Sequence, residues 1–153
     1  MRSATLTYLI TLLFGGGVLI TFMVNASDEE PAKSGQASLD YVVECPEGAT
    51  SATKCKVDAR TFTGYRMFNR LCNHCHGPDG VGSSFAPDMI TTFNHNVDYA
   101  RFKDVVTNGY RGQAGVMPGF EKNQAVMDRL DQIYMYLKAR ADGALGQGRP
   151  QKL

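Results

Sequence analysis

Residues 72 to 76 read Cys-Asn-His-Cys-His, and no other stretch of the chain constrains its fold so tightly. Two thiols separated by two residues can add to the two vinyl groups on one side of a porphyrin. The histidine that follows is then pinned beneath the iron. The motif therefore predicts one covalent haem c, with thioethers at Cys72 and Cys75 and with His76 as an axial ligand. A tethered haem also becomes part of the apolar core, which helps a domain this small to fold. Two other chemistries use paired cysteines. A thioredoxin-like dithiol is disfavoured by the adjacent histidine and by the lack of a strand-then-helix pattern before Cys72. A zinc site is disfavoured by the irregular spacing of Cys45, Cys55, Cys72 and Cys75.

The 153-residue chain opens with Arg2 and an apolar run from Leu6 to Val24, then turns polar at Ser27, Asp28, Glu29 and Glu30. This is the pattern of an export leader, and Val24-Asn25-Ala26 offers compact residues at the positions a signal peptidase reads. Residues 1–26 are thus expected to be a signal peptide directing the product to the periplasm. The run is long for a signal core, so an uncleaved membrane anchor stays as the alternative, although Gly15, Gly16 and Gly17 weaken a spanning helix. Loss of Arg2 with the leader takes the basic residues from 16 to 15 against 15 acidic ones. A neutral product has no general affinity for nucleic acid, so any steering must come from local patches.

A low-spin haem needs a sixth ligand, and a thioether there stabilises ferrous iron. The chain holds seven methionines. Met1 and Met23 lie in the leader, Met67 precedes the motif by about a turn, and Met127 and Met135 sit in a helical pattern where methionine is ordinary core filler. Met117 lies in a glycine-rich loop, Gly109 to Phe120, and is followed by Pro118, which stiffens the backbone. It is the expected distal ligand, with Met89 and His95 as the alternatives. Pro87 is placed to offer its carbonyl to the outer nitrogen of His76 and so orient the ring.

Gly64, Tyr65, Phe68 and Leu71 recur at helical spacing, predicting a helix from about Asp58 to the motif. The run from Gly77 to Pro87 is turn-rich. A second helix is expected from Val97 to Asn108, stopped by Gly109. A third runs from an Asn123 cap to Ala141, with Val126, Leu130, Ile133, Tyr134 and Leu137 as its apolar stripe, and spans about 28 Å. Ser27 to Ser38 reads as a flexible linker. After it, Tyr41 to Cys45 and Cys55 to Val57 are expected to pair as short strands closed by a Cys45–Cys55 disulfide. The domain plan is therefore a linker and disulfide-closed extension over 27–57, a haem domain over 58–142 and a tail over 143–153.

Gly64 and Phe68 before Cys-x-x-Cys-His, then Pro87, a Met-Pro loop and a helix carrying Ile133, Tyr136 and Leu137, resemble the class I cytochromes c over roughly residues 58–141. The resemblance implies an all-α fold of about three main helices around one haem, in which Gly64 and Phe68 meet Ile133 and Tyr136. The runs Cys-His-Gly-Pro-Asp-Gly-Val-Gly-Ser-Ser-Phe-Ala-Pro87 and Tyr136 to Pro150 are similar to those of small bacterial cytochromes associated with methanol and other alcohol oxidation. The two cysteines ahead of the motif fit that group as well. This likeness implies an electron carrier rather than an enzyme. Its donor would be a quinoprotein (PQQ-dependent) alcohol dehydrogenase and its acceptor a further cytochrome or terminal oxidase. Two rivals stand beside it: a membrane-anchored cytochrome subunit of a respiratory complex, and a haem enzyme or sensor with an open distal site.

Overall fold

The computed structural model describes residues 38–94, 97–112 and 115–153. The leader and His95 lie outside the described residues. Asp58 begins the helical part. Its carboxylate accepts from the backbone N–H groups of Arg60 and Thr61, at 2.9 and 3.0 Å, and from the Thr61 hydroxyl at 2.5 Å. These bonds satisfy the orphan donors that open helix α1, Ala59–Leu71. Val42 N–H donates to the same carboxylate at 2.9 Å, so the cap also ties down the N-terminal extension. Burial pushes the Asp58 carboxyl up, but these hydrogen bonds prevail and hold it below its ordinary value.

Helix α1 crosses helix α6, Leu130–Ala141, at Gly64. A Cβ on Gly64 would stand 1.9 Å from the Gln132 carbonyl oxygen and 2.9 Å from Tyr136 Cβ, so only glycine permits this approach. The partners are thus Gln132 and Tyr136, with Ile133 buried in the core nearby in sequence. One turn along, the Phe68 and Tyr136 rings pack with centroids 5.8 Å apart, and Tyr65 meets Tyr136 edge-on at 5.6 Å. Helix α6 is buried almost all round, from Ile133 through Leu137 and again from Ala139 to Ala141.

The other helices are shorter. Helix α2, Asn73–His76, carries the haem motif. Helix α3, Met89–Asn94, starts from Asp88, whose carboxylate accepts from Ile90 N–H at 2.7 Å. Helix α4, Tyr99–Asn108, is capped by Asp98 and, as its sequence predicts, stops at Gly109. Phe93 and Phe102 close on Tyr134 of α6, with centroids 5.6 and 5.4 Å away. Helix α5, Gln124–Met127, is capped by the Asn123 side chain. The single helix expected over 123–141 is therefore two. Arg129 leaves helical geometry (φ −128°, ψ 17°) and its N–H bonds back three residues to Val126, a tightened turn that ends α5 before α6 starts. The unbroken helix spans about 18 Å rather than 28.

The all-α expectation also needs correcting, because two small sheets accompany the helices. Strand β1, Val43–Glu44, pairs antiparallel with β2, Lys56–Val57, and a Cys45–Cys55 disulfide closes the loop between them. Strand β5, Gln151–Lys152, lies parallel to β2 on its other side, so residues assigned to a separate tail complete this sheet. Tyr41 reinforces the join by donating its hydroxyl to Asp142 at 2.8 Å. In the glycine-rich segment, β3, Tyr110–Gly112, and β4, Gly115–Met117, form an antiparallel hairpin where a loop was expected. Among the described residues, no helix is long and apolar enough to cross a membrane.

Candidate haem site

The last turn of α1 delivers Cys72, whose N–H bonds to the Phe68 carbonyl at 2.8 Å. Helix α2 then presents Cys75 and His76, with His76 N–H bonded to the Cys72 carbonyl at 3.0 Å. Cys72 is half-buried, Cys75 is exposed, and both thiols are free while Cys45 and Cys55 are cross-linked. Burial pushes the Cys72 thiol up to about 11, with Cys75 adding to the effect. That is the reverse of the activated thiolate an exchange dithiol needs.

Beyond His76 the chain folds back on itself. Gly82 N–H bonds to the His76 carbonyl at 2.8 Å and the Ser83 hydroxyl donates to the Cys75 carbonyl. Gly77 (φ 69°) permits the reversal, since a Cβ there would lie 2.2 Å from the Gly82 carbonyl oxygen. Burial lowers the pKa of the His76 imidazole, and the Pro87 carbonyl beside it opposes that shift. The contact falls short of a well-formed hydrogen bond, for His76 Nδ1 is buried without a partner of good geometry.

Asp79 is the residue the sequence reading missed. It is buried, with 8% of its surface exposed, and adopts a left-handed backbone (φ 56°) that aspartate tolerates better than most residues. Its Oδ1 accepts from Asn69 of α1 at 3.2 Å and from the Tyr136 hydroxyl of α6 at 3.0 Å. Its Oδ2 accepts from Gly148 N–H at 2.8 Å. Its own N–H donates to Asn69 Oδ1 at 3.0 Å, and its carbonyl accepts from Arg140 Nε at 3.3 Å. One side chain three positions after His76 thus joins both crossing helices and the C-terminal run. Within Gly-Pro-Asp-Gly it looks like an ordinary turn aspartate, and only the matching Tyr136-to-Pro150 run signals otherwise.

Met117 ends β4, half-buried and paired with Tyr110. The base of its hairpin is tight: a Cβ on Gly109 would lie 2.7 Å from the Met117 carbonyl oxygen, and one on Gly119 would lie 2.6 Å from the Thr107 carbonyl oxygen. Met89 starts α3 instead, and its Cβ flanks Gly80 together with Phe68 and Leu137.

Two free thiols, a following imidazole with an unpartnered buried nitrogen, and a carbonyl beside that ring fit the chemistry of covalent haem attachment. Residues 59–137, just over half of the chain, match the family described as cytochrome c oxidase, cbb3-type, subunit III. The chain belongs to this family of c-type cytochromes. Its cofactor is haem c. Cytochrome c-553I of Paracoccus denitrificans is 40% identical to this cytochrome over 100 residues, covering 63% of the chain and 44% of that protein. The 4-cresol dehydrogenase cytochrome c subunit of Pseudomonas putida is 28% identical over 90 residues, covering 58% of the chain and 70% of the subunit. The crystal structure of the c-type cytochrome XoxG from Methylobacterium extorquens AM1 superposes with a TM-score of 0.60 at 40% identity, covering 64% of this cytochrome and 61% of that chain. The match therefore spans less than half of c-553I and under two thirds of the XoxG chain.

Proposed function

We propose that this cytochrome is a one-electron carrier of the periplasm, taking electrons from a PQQ-dependent methanol or alcohol dehydrogenase and passing them to another cytochrome or a terminal oxidase. The observation that carries the reading is the Asp79 junction. It binds the haem loop to the Tyr136-to-Pro150 run, the two stretches that resemble the cytochromes of alcohol oxidation. The likeness to XoxG and to a dehydrogenase's cytochrome subunit supports a dehydrogenase donor.

When bound, haem c supplies reversible one-electron exchange at its iron. Cys72 and Cys75 would hold it through thioethers, with His76 as one axial ligand and Met117 as the other. Met117 is preferred over Met89 because Met89 Cβ already packs beside Gly80 and Phe68. The Pro87 carbonyl is the acceptor available to His76, and it would favour the ring orientation in which the other nitrogen faces the metal.

Stopped-flow mixing of the ferric holoprotein with reduced quinoprotein methanol dehydrogenase tests the donor. Second-order, salt-sensitive reduction is expected, and a lack of reduction by any dehydrogenase of this class overturns that part of the reading. For the ligand, Met117→Ala is expected to abolish the Fe–S(Met) absorption and to let carbon monoxide bind the reduced protein. A variant that keeps the band identifies another residue as the ligand.

A further inference from the structure

A second feature adjoins the Asp79 junction at Asn69. Tyr65, Arg66, Asn69 and Arg70 of α1, together with Arg149, line an open cleft of about 560 Å³. The arginines are exposed, and among the described residues none of the three makes an ion pair. Asp79 lies beneath the cleft, but both of its carboxylate oxygens already accept from Asn69, Tyr136 and Gly148. Among the described residues none of the three arginines bonds that carboxylate, and three guanidinium groups outnumber its single charge, so the cleft stays net positive in a chain whose acidic and basic residues otherwise nearly balance.

The cleft is also held in shape. Arg149 sits between Gly148, which is bonded to Asp79, and Pro150, which is fully buried. Its guanidinium lies 5.8 Å from the centroid of the Phe62 ring. Arg66 and Arg70 are one turn apart on a helix clamped at Gly64. Guanidinium groups carried on a fixed backbone can take carboxylates in the two-pronged geometry that lysine lacks. Asn69, which lines the cleft, is bonded to Asp79, three residues after His76, so a partner seated here borders the loop that follows the haem motif.

We propose that this cleft is the docking site for an acidic surface of the electron-donating dehydrogenase, its Asp and Glu side chains engaging Arg66, Arg70 and Arg149. The proposal rests on the reading that the donor is a protein of that kind. An open cleft with no enclosed pocket suits side chains offered by a larger surface, and brief encounters between redox proteins need steering more than area.

The test is the holoprotein triple variant R66E/R70E/R149E beside a control, K54E/K103E/K122E, of equal charge change at other exposed lysines. With reduced quinoprotein methanol dehydrogenase at low salt, the arginine variant is expected to be reduced on the order of tenfold more slowly than wild type, with a flattened salt dependence. The control should change far less, and all three proteins should converge at high salt. Equal loss in both variants, or none in the arginine variant, overturns the proposal. Unchanged haem spectra and unchanged denaturation midpoints confirm that the variants are folded. If no dehydrogenase reduces the wild type, the donor reading fails separately, and small oxidants still decide the patch. Oxidation by anionic ferricyanide should then slow in the arginine variant and oxidation by a cationic cobalt complex should quicken, whereas no difference from the control counts against the patch.

Discussion

The two sides of the haem site are built differently. On the His76 side, the loop after the motif is bonded to α1 through Asn69, to α6 through Tyr136 and Arg140, and to the C-terminal run through Gly148. That run continues into β5, which pairs with the disulfide-closed extension, so the proximal loop is linked to both crossing helices, the C-terminal run and the extension. On the Met117 side, a two-stranded hairpin is secured mainly at its base. There Phe120 and Glu121 bond to the carbonyls of Val106 and Thr107, while Val116 near the tip is 59% exposed. The difference separates two tasks. The attachment motif and its histidine are made part of the fold, whereas Met117, the second ligand proposed above, sits on an element bonded to the rest mainly at one end.

Asp79→Ala should break this asymmetry most. It removes the acceptor for three buried or half-buried donors and places alanine in a left-handed backbone, at a cost of about 3–5 kcal/mol. Asp79→Asn keeps the backbone tolerance but turns an amide toward Tyr136 and Gly148, so it should lose less. Chemical denaturation of the holoprotein measures both. A loss under 1 kcal/mol for the alanine variant would mean that the proximal side is no better braced than the distal hairpin.

Removing the disulfide with Cys45→Ser and Cys55→Ser comes next. The closed loop is short, and its constraint on the unfolded chain is worth about 2–3 kcal/mol. The haem spectrum should not change, because the extension is joined to the fold at β5, at the Asp58 cap and at Asp142, all away from the Cys72–His76 motif in the chain. A changed spectrum would show that the extension shapes the iron's surroundings directly.

Local signals made much of this architecture readable. The helix from about Asp58, the Gly64 and Phe68 periodicity, the helix stopped by Gly109 and the paired strands around Cys45 and Cys55 all depend on neighbours within a few residues or on one motif. The Asp98 cap, which starts that second helix at Tyr99 rather than Val97, goes unread. What else escaped depends on distant partners. Strand β5 is two residues long and exists only because β2 lies beside it. Helix α3 is six residues, too short to show a period. The break at Arg129 has no proline or glycine to announce it. The buried role of Asp79 is invisible until Tyr136 and Gly148, 57 and 69 positions away, are brought to it. At the site, the attachment motif is legible because its spacing is covalent chemistry, whereas the choice of distal ligand depends on how a hairpin sits.

That hairpin supplies the finest test, because two of its glycines are constrained in different ways. Gly109 has φ 83°, and an added Cβ would meet backbone atoms of Met117 and Gly119 at 2.7 and 2.8 Å, none of which can move without opening the base. Gly109→Ala should therefore cost about 2 kcal/mol and disturb the Met117 ligation band together with stability. Gly112 has an ordinary backbone, and its nearest obstacle is the Tyr110 ring at 2.8 Å, the end of a half-exposed side chain that can swing aside. Moving that ring forfeits only its contact with Arg101, 5.5 Å from the ring centroid, so Gly112→Ala should cost about 0.5 kcal/mol and leave the band in place. Parallel denaturation and absorption measurements separate the two cases. Equal costs would mean that the whole hairpin, rather than its base, is fixed in the fold, and the contrast between the two sides of the haem would be one of degree.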